Sequence, residues 1–346
     1  MTGRERIARA LRGERTDVVP VMLHNFMMAA REEGVTMRRF RSDPDALARS
    51  FIGAVERYGY DGIIVDVDTV TLAAALGVPV DEPVDEPARV RGGMLDDLDG
   101  VRGLRPVDLR ESPRVRVWLD GVRLLRRHFG DRMFIRGNCD QSPFTLASLV
   151  RGMDRWMMDL TEPEREADVR ALLEYCAGAT LQFIRLMAET GADMTSNGDS
   201  VAGPELVSPA VFRRYALPHD RRCAEESHRL GLPYGLHICG NTSAILGDMV
   251  ASGADALDLD YKTDAVRARA ALGGGTTFIG NIDPSGVLAL GTPALVESAT
   301  LGLLRCFAGT PRFILNAGCA IPPVTPPENL LAMIRTARRF KGEVRP

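Results

Sequence analysis

Short, nearly continuous apolar segments recur along the sequence, separated by longer stretches with helical periodicity, and this alternation constrains the fold most. Apolar runs that alternate with helices are typical of a parallel sheet covered by helices on both faces. Eight such units predict an α/β fold closed into a (βα)8 TIM barrel. We predict strands near residues 18–23, 61–66, 134–139, 193–199, 234–239, 256–260, 276–282 and 312–318.

Turn and capping residues support these boundaries. The segments 188–194 (AETGADM) and 250–257 (VASGADAL) share one pattern, a helix end followed by glycine and then a strand. The glycine can take the left-handed conformation that ends a helix. Ser208 followed by Pro209 predicts a helix start with serine as the N-cap. Residues 325–328 (TPPE) have the spacing of a capping box and predict the start of the last helix.

The chain of 346 residues has the length of one α/β barrel, so we predict a single domain over residues 1–346. A helical pattern near residues 2–13 precedes the first strand and predicts an N-terminal extension that caps the bottom of the barrel. Residues 78–130 contain the stretches DEPVDEP and LDDLDG. They predict an irregular insertion after the second strand.

Charge and hydropathy exclude several classes of function. Net charge is -3 with 26% charged residues, which gives no bulk electrostatic signature of nucleic-acid binding. No apolar run approaches the roughly 18–20 residues that a membrane span needs, and the charged N-terminus lacks the apolar core of a signal peptide. We therefore expect a cytoplasmic protein without membrane contact. In that reducing compartment the six cysteines are expected to be thiols or ligands rather than disulfides.

The segment LHICGN, residues 236–241, carries the strongest chemical signal. Residues two apart in a strand point to the same face, so His237 and Cys239 project together. They end the fifth predicted strand, where barrel enzymes place their chemistry. Cys319 follows the eighth predicted strand and can reach the same mouth. One imidazole and two soft thiolates predict a catalytic zinc site with an open fourth position.

A structural interpretation of the same residues stays open at this point. Cysteine is often a small core residue, and a strand histidine is often only hydrogen-bonded. His24 ends the first strand and could face the mouth, as could Cys139, which ends the third strand beside Asp140. The remaining cysteines lie in helical patterns and are predicted to be structural, and the remaining histidines are predicted to lie on the surface: Cys176, Cys223, Cys306, His128, His219 and His228.

Nearly the whole chain resembles the uroporphyrinogen decarboxylase superfamily. Within it, the sequence is most similar to the corrinoid-dependent methyltransferases of the methylcobamide:coenzyme M type. The matching stretches are ERIARALRGERTDVVPV (5–21), SPFTLASLVRG (142–152), LVSPAVFRRYALPH (206–219), LHICGNTSAIL (236–246), FIGNIDPSGVLALGTP (278–293) and LNAGCAIPPVTPPENLLAM (315–333).

The resemblance implies a TIM barrel that binds Zn²⁺ through His237, Cys239 and Cys319. It also implies a reaction, methyl transfer to a small thiol that the metal keeps deprotonated. The methyl donor would be a methyl-corrinoid carried by a partner corrinoid protein. Coenzyme M, homocysteine and a folate are all compatible with the sequence as acceptors. Related barrels often dimerise, so the resemblance is also compatible with a homodimer.

Further polar residues at strand ends are candidates for binding the acceptor or the corrinoid. Family members resemble one another in using an acidic residue as a fourth zinc ligand, and Asp258 and Asp260 in the sixth strand are candidates for it. Asp283 also precedes proline, which is typical of a plain turn. The other candidates lie at the ends of the first, second, fourth and seventh strands: His24, Asp66, Asp68, Asn197, Asp199, Asn281 and Asp283.

Two other functions remain open from the sequence. The first is a porphyrinogen decarboxylase that uses no metal. That branch carries an arginine-bearing RQAGR-like motif after the first strand to hold substrate carboxylates, whereas this chain has LHNFMMAAREEG at 23–34, with Arg31 alone. Its aspartate after the second strand, which binds pyrrole N–H groups, has counterparts here in Asp66 and Asp68. The second alternative is a non-catalytic barrel that binds a corrinoid or a metal.

Overall fold

The computed structural model describes residues 1–341 and contains a barrel of eight parallel strands. Two further strands form a small antiparallel hairpin outside the barrel. The strands are β1 (Met22–Leu23), β2 (Gly62–Val65), β3 (Val80–Asp81), β4 (Arg89–Val90), β5 (Phe134–Gln141), β6 (Met194–Gly198), β7 (Tyr234–Ile238), β8 (Ala256–Leu259), β9 (Thr277–Ile282) and β10 (Phe313–Ala317).

Helices cover the outside of the barrel and one helix precedes it. They are α1 (Gly3–Arg12), α2 (Phe26–Glu32), α3 (Met37–Phe40), α4 (Pro44–Tyr58), α5 (Thr71–Ala75), α6 (Pro113–Phe129), α7 (Pro143–Arg151), α8 (Met153–Asp159), α9 (Glu166–Ala188), α10 (Pro209–Val211), α11 (Leu217–Arg229), α12 (Leu246–Ala251), α13 (Ala265–Leu272), α14 (Pro293–Cys306) and α15 (Pro327–Arg339). Short 3₁₀ segments span Leu98–Gly103, Leu109–Glu111, Pro163–Arg165 and Ser200–Ala202, and π-helical segments span Phe212–Ala216 and Pro284–Ala289.

The strands pair in the order β1-β2-β5-β6-β7-β8-β9-β10, each parallel to its neighbours. A parallel bridge between Val21 and Leu315 joins the first and last strands, and the Leu315 amide donates to the Pro20 carbonyl at 2.9 Å. This bridge closes the barrel. All C-terminal strand ends therefore surround one opening, where barrel enzymes hold their active sites.

All eight barrel strands predicted from the alternation are confirmed, with ends that differ by a few residues. The glycine pattern is confirmed as well, since Gly191 and Gly253 have φ of 87° and 83° after their helices. Ser208 is the N-cap of α10 and accepts a hydrogen bond from the Val211 amide. The capping box at 325–328 is wrong, because the N-cap of α15 is Pro326 and no side chain caps it.

The predicted insertion is correct in its first part and wrong in its second. Residues 80–90 form the β3-β4 hairpin, followed by two 3₁₀ turns. Residues 113–129, which were assigned to the insertion, form α6, a regular helix of the barrel's outer layer. Trp118 shows why, since it is fully buried and its indole N–H donates to the Val65 carbonyl of β2 at 3.1 Å. Arginine-rich exposed positions on α6 had obscured its apolar face.

The first helix closes the bottom of the barrel, as predicted. Its buried residues Ile7, Ala10 and Leu11 pack against the lowest layer of interior side chains. That layer is apolar and comes from most strands: Met22, Ile64, Phe134, Met194, Ala256, Ile279 and Ile314. Thr2 and Glu5 form a capping box that fixes the start of the helix.

A buried carboxylate ties the ends of the chain to this floor. Asp61, 2% exposed, accepts hydrogen bonds from Arg6 of α1 at 2.9 Å and from Arg338 of α15 at 2.7 Å. It also accepts from the Val21 amide at 2.9 Å. Two guanidinium groups and a backbone amide therefore compensate for the loss of hydration of this carboxylate.

The β3-β4 hairpin lies at the rim of the barrel mouth and two arginines attach it there. Arg41 is buried and donates to the carbonyls of Pro83 and Glu86. Arg114 of α6 joins Asp68, at the end of β2, to Glu82 of the hairpin. These contacts place the hairpin beside the opening, so part of the insertion belongs to the mouth.

Among residues 1–341, no helix is long and apolar enough to cross a membrane. Of the histidines predicted to lie on the surface, His128 and His228 are exposed. His219 is buried, at 8% exposure on the inner side of α11, so its surface assignment is wrong. Burial lowers its pKa from 6.5 to about 4, against a smaller opposing effect of Glu174.

His219 gives a prediction about acid stability. The pKa of its imidazole is lower in the folded chain than in the unfolded chain, so protonation favours unfolding. The free energy of unfolding should fall as pH drops from about 6.5 to about 4, by up to about 3 kcal/mol from this residue. In urea denaturation between pH 7 and 4, a His219→Gln variant should lose correspondingly less free energy of unfolding than the unmodified protein. The exposed His128→Gln variant is the control, and equal pH slopes for His219→Gln and the unmodified protein would contradict this account.

Candidate metal centre

His237 and Cys239 face the barrel mouth from the end of β7. Alternation along the strand directs both side chains to the interior, and the His237 Nε2 lies 3.2 Å from the Cys239 Sγ. The His237 Nδ1 is 2.8 Å from the carbonyl oxygen of Asp258. Nδ1–H is thus the donor to this carbonyl, which leaves the Nε2 lone pair for a metal. Such an orienting hydrogen bond is usual for metal-binding histidines.

Cys319 reaches the same point from the loop after β10. Gly318 permits a close approach there, because a Cβ at this position would lie 2.2 Å from the Tyr261 amide nitrogen. Two residues after Cys319, the Ile321 amide donates to the His24 carbonyl at 2.8 Å, and this hydrogen bond fixes the loop against the end of β1. Ligand atoms of His237, Cys239 and Cys319 all lie within 4.8 Å of one another.

The electrostatics of the three groups are coupled. Hydrogen bonding from Cys319 and the nearby His237 imidazole lower the pKa of the Cys239 thiol. Burial lowers the pKa of His237, but Cys239 and Asp258 together outweigh burial and raise that pKa to about 10. The pKa of Cys319 is raised, because its proton is held by Cys239. Metal ligands bind in their deprotonated forms, so a metal ion at this point would displace the protons that these groups hold.

The donor set fits Zn²⁺. Two cysteine sulfurs and one imidazole nitrogen are typical zinc ligands, and soft sulfur disfavours magnesium and calcium. Among residues 1–341 no carboxylate joins the three within the same 4.8 Å, so the fourth position is free of an acidic protein ligand. Ser200 lies beside the three donors, and its hydroxyl donates to the Cys239 Sγ at 3.1 Å. A three-ligand site is the arrangement found in catalytic zinc centres.

A cavity of about 210 Å³ extends from these ligands into the barrel mouth. It is lined by residues from most of the barrel strands: His24, Phe26, Met27, Ile64, Asp66, Asp68, Thr69, Pro87, Arg136, Asn138, Asp140, Gln141, Asn197, Gly198, Ser200, His237, Cys239, Asp258, Cys319 and Ala320. A larger groove of about 540 Å³ lies beside this cavity, and Met27 and Pro87 line both. The potential metal ligands that line the groove are the carboxylates of Asp85 and Glu86. The three soft donors line the smaller cavity and not the groove.

The structure brings some of the predicted strand-end residues into this cavity and gives others a structural partner. His24, Asp66, Asp68, Asn197 and Asp258 line it. Four others do not line it, and the side chain of each is hydrogen-bonded to backbone groups. The three carboxylates accept from amides: Asp199 from Thr145, Asp260 from Gly240 and Lys262, and Asp283 from Ser285 and Gly286. Asn281 instead donates to the Asp260 and Thr263 carbonyls.

Asp258 and Asp260, the candidates for a fourth metal ligand, are both engaged elsewhere. Asp258 accepts a hydrogen bond from Arg136 at 2.6 Å across the barrel interior. Both oxygens of Asp260 accept hydrogen bonds from backbone amides, one from Gly240 after β7 and one from Lys262 after β8. Cys139 is buried, with its Sγ 3.7 Å from the Gly137 carbonyl, and it does not line the cavity.

Carboxylates dominate the part of the cavity next to β2 and β5. His24 Nε2 lies 2.7 Å from Asp66 Oδ2. Asp68 is paired with Arg114 at 3.0 Å. Asp140 has a backbone φ of 58°, a left-handed conformation that aspartate tolerates better than most residues, and it accepts from the Leu72 amide at 2.7 Å. Burial, with Asp68 and Asp66 nearby, raises the pKa of Asp140 well above its usual range.

Sequence reasoning missed Arg136, Gln141 and Ser200. Arg136 is 3% exposed and bonds to Ser196 at 2.7 Å as well as to Asp258. Gly235 on the neighbouring side makes room for Met194, since a Cβ there would lie 2.7 Å from the Met194 methyl group. An arginine inside an otherwise apolar predicted strand was the available signal, because strand alternation places it on the interior face.

Comparison with known proteins agrees with the fold. Residues 2–340 match the uroporphyrinogen decarboxylase (URO-D) family. The chain is 28% identical to a methylcobamide:CoM methyltransferase, MtbA, of Methanosarcina mazei, with 98% of each chain covered. It is 32% identical to a uroporphyrinogen decarboxylase of Thermus thermophilus, with 94% of each covered.

A solved structure also matches over nearly the full length. It is a methyltransferase from Methanosarcina mazei, 25% identical, with a TM-score of 0.88 over 97% of this chain and 98% of that one. The whole-length agreement in sequence and in three dimensions confirms the resemblance noted from the sequence motifs. The chain is a member of the uroporphyrinogen decarboxylase family.

Proposed function

We propose that this protein is a zinc-dependent methyltransferase that moves a methyl group from a methyl-corrinoid to a small thiol. The observation that carries the proposal is the convergence of His237, Cys239 and Cys319 on one point of the barrel mouth. Three soft donors with a free fourth position fit a catalytic zinc whose open site takes a substrate atom. Relatives named methylcobamide:CoM methyltransferase, from Methanosarcina mazei and Methanosarcina barkeri, support the reaction class.

The residues of the chain have separable tasks in this reaction. His237, held through Nδ1 by the Asp258 carbonyl, presents Nε2 in a fixed direction, and Ser200 donates to the Cys239 sulfur. Zinc bound there would supply the Lewis acidity that keeps an acceptor sulfur deprotonated at neutral pH. The cavity walls hold the acceptor so that its sulfur faces the opening, and this orientation lowers the entropic barrier to attack on the methyl group.

The size of the cavity indicates how the methyl donor is delivered. A volume of about 210 Å³ suits a small thiol and lies below the usual range for drug-sized ligands. A corrinoid macrocycle is far larger, so it must present its methyl group at the mouth from outside. Delivery by a partner corrinoid protein meets this requirement, and it belongs to the proposal together with a homodimeric assembly of the barrel.

The decarboxylase alternative has less support from the site. A porphyrinogen with several carboxylates needs several free cations. Arg136, the one arginine among residues 1–341 that lines the cavity, is already bound to Asp258. Arg31 lines the neighbouring groove instead and its Nη1 lies 3.4 Å from the Pro323 carbonyl. The carboxylates at the ends of β2 and β5 do fit pyrrole N–H groups. Carbon dioxide release from a porphyrinogen is therefore one of the outcomes of the activity assay described below.

Metal analysis tests the site directly. Purified protein should contain about one zinc per chain, as a single three-ligand centre requires. Cys319→Ser and His237→Ala variants should lose most of it, because a metal site that loses a ligand binds far more weakly. Elemental mass spectrometry gives the content, and a Cys306→Ser variant, which removes a half-buried cysteine on α14, is the control. Full zinc content in both ligand variants would contradict the assignment.

Methyl transfer gives a second prediction. Zinc-loaded protein should convert methylcobalamin to cob(I)alamin only when a thiol is added, followed by absorbance. Removal of zinc by a chelator should abolish the reaction, and zinc should restore it. Retained zinc without any thiol-dependent demethylation would favour a non-catalytic barrel, whereas absence of zinc with carbon dioxide release from a porphyrinogen would favour the decarboxylase.

A further inference from the structure

One sector of the cavity wall consists of hydrogen-bond acceptors. Asp66 and Asp68 follow β2, and Asp140 and Gln141 end β5, its neighbour in the barrel. The metal-ligand candidates belong to β7 and to the loop after β10, so the two groups occupy separate sectors of one cavity. A bound acceptor with its sulfur at the metal ligands would place its other end among these oxygens.

The positive charges around the cavity are already paired. Arg136 is bound to Asp258 and Arg114 to Asp68. Asp66 is bonded to His24 and to the Val67 amide, and among residues 1–341 no lysine or arginine forms an ion pair with Asp66 or Asp140. Among residues 1–341, this sector therefore offers an anionic ligand no lysine or arginine that is not already paired with a carboxylate.

Gln141 supplies an independent sign of a missing donor. Its side chain is 6% exposed, its Nε2 donates to Asp140 at 3.2 Å, and its Oε1 has no hydrogen-bond partner. A buried carbonyl oxygen without a hydrogen-bond donor is unfavourable, because it has lost its hydration and gained no hydrogen bond in return. Because Gln141 lines the cavity, a ligand that brings N–H groups would satisfy this oxygen.

We propose that the acceptor thiol carries a positively charged amino group, held by Asp66, Asp140 and Gln141, and that thiols ending in a sulfonate or carboxylate are disfavoured. The inference rests on the proposed methyl transfer to a thiol. An ammonium group donates three hydrogen bonds, and those to carboxylates are charge-assisted and strong. An anionic end would instead lie beside Asp66 and Asp140 at low solvent exposure, without a lysine or arginine to pair with it and where repulsion from a carboxylate is poorly screened.

Three two-carbon thiols test the proposal because they differ only in the terminal group. These are cysteamine, 2-mercaptoethanol and 2-mercaptoethanesulfonate, which are cationic, neutral and anionic. With zinc-loaded protein and methylcobalamin, KM for cysteamine should be about tenfold or more below that for 2-mercaptoethanol, with the sulfonate weakest. Calorimetric binding of their S-methyl products, which have no ionisable thiol, should give the same order. Equal affinities or a preference for the sulfonate would overturn the proposal.

Substitutions of the cavity carboxylates test whether they cause the preference for a cationic thiol. Asp140→Asn and Asp66→Asn keep the shape of the side chains and remove the charge, so each should reduce the ratio of cysteamine affinity to 2-mercaptoethanol affinity. Asp85→Asn removes an exposed carboxylate from the neighbouring groove and is the control for long-range charge. A ratio that stays unchanged in both cavity variants would overturn the assignment of these residues.

The outcomes separate this inference from the proposed function. Demethylation with 2-mercaptoethanol but without a preference for cysteamine would overturn the inference and leave thiol methylation intact. Demethylation with no thiol would overturn the proposed function, and the binding order of the three S-methyl compounds would still decide whether the cavity selects a cationic end.

Discussion

Closure of the barrel is the constraint on which the rest of the structure depends. The bridge between Val21 and Leu315 joins the first and last barrel strands, and only with this contact does the loop after β10 lie beside the end of β1. Cys319 is 80 residues beyond Cys239 in the chain, yet the closed ring brings both sulfurs to one point. Without closure the histidine and its neighbouring cysteine would form only an incomplete pair of ligands.

The side chains inside the barrel are apolar at the floor and polar or charged towards the mouth. At the floor, apolar side chains and α1 exclude water, and above them Arg136 and Asp258 form a fully buried ion pair. Burying such a pair costs hydration energy, which its mutual attraction and the hydrogen bond to Ser196 offset. The same Asp258 residue orients His237 through its backbone carbonyl. The ion pair therefore holds Asp258 of β8, whose backbone carbonyl orients the His237 imidazole of β7.

Much of this could be predicted from the sequence, and the parts that could not have a physical reason. Strand alternation placed His237 and Cys239 on one face, and the eightfold pattern predicted the ring. The helix α6 was missed because its exposed arginines masked the stripe containing Trp118. His219 was assigned to the surface because arginines surround it in sequence, whereas its burial depends on packing of α11. The charge balance of the cavity depends on partners far apart in the chain, such as Arg114 with Asp68, and no local pattern contains that information.

The helical floor has a consequence for the order of events. Since α1 fills the bottom of the ring with Ile7 and Leu11, the cavity opens only towards the mouth among the described residues. An acceptor and a bulky methyl carrier would then share one entrance. In the proposed reaction the small molecule would have to enter first, the carrier would then cover it, and the methylated product would leave only after the carrier had departed. The position of a single N-terminal helix would thus impose an order of binding and release on that reaction.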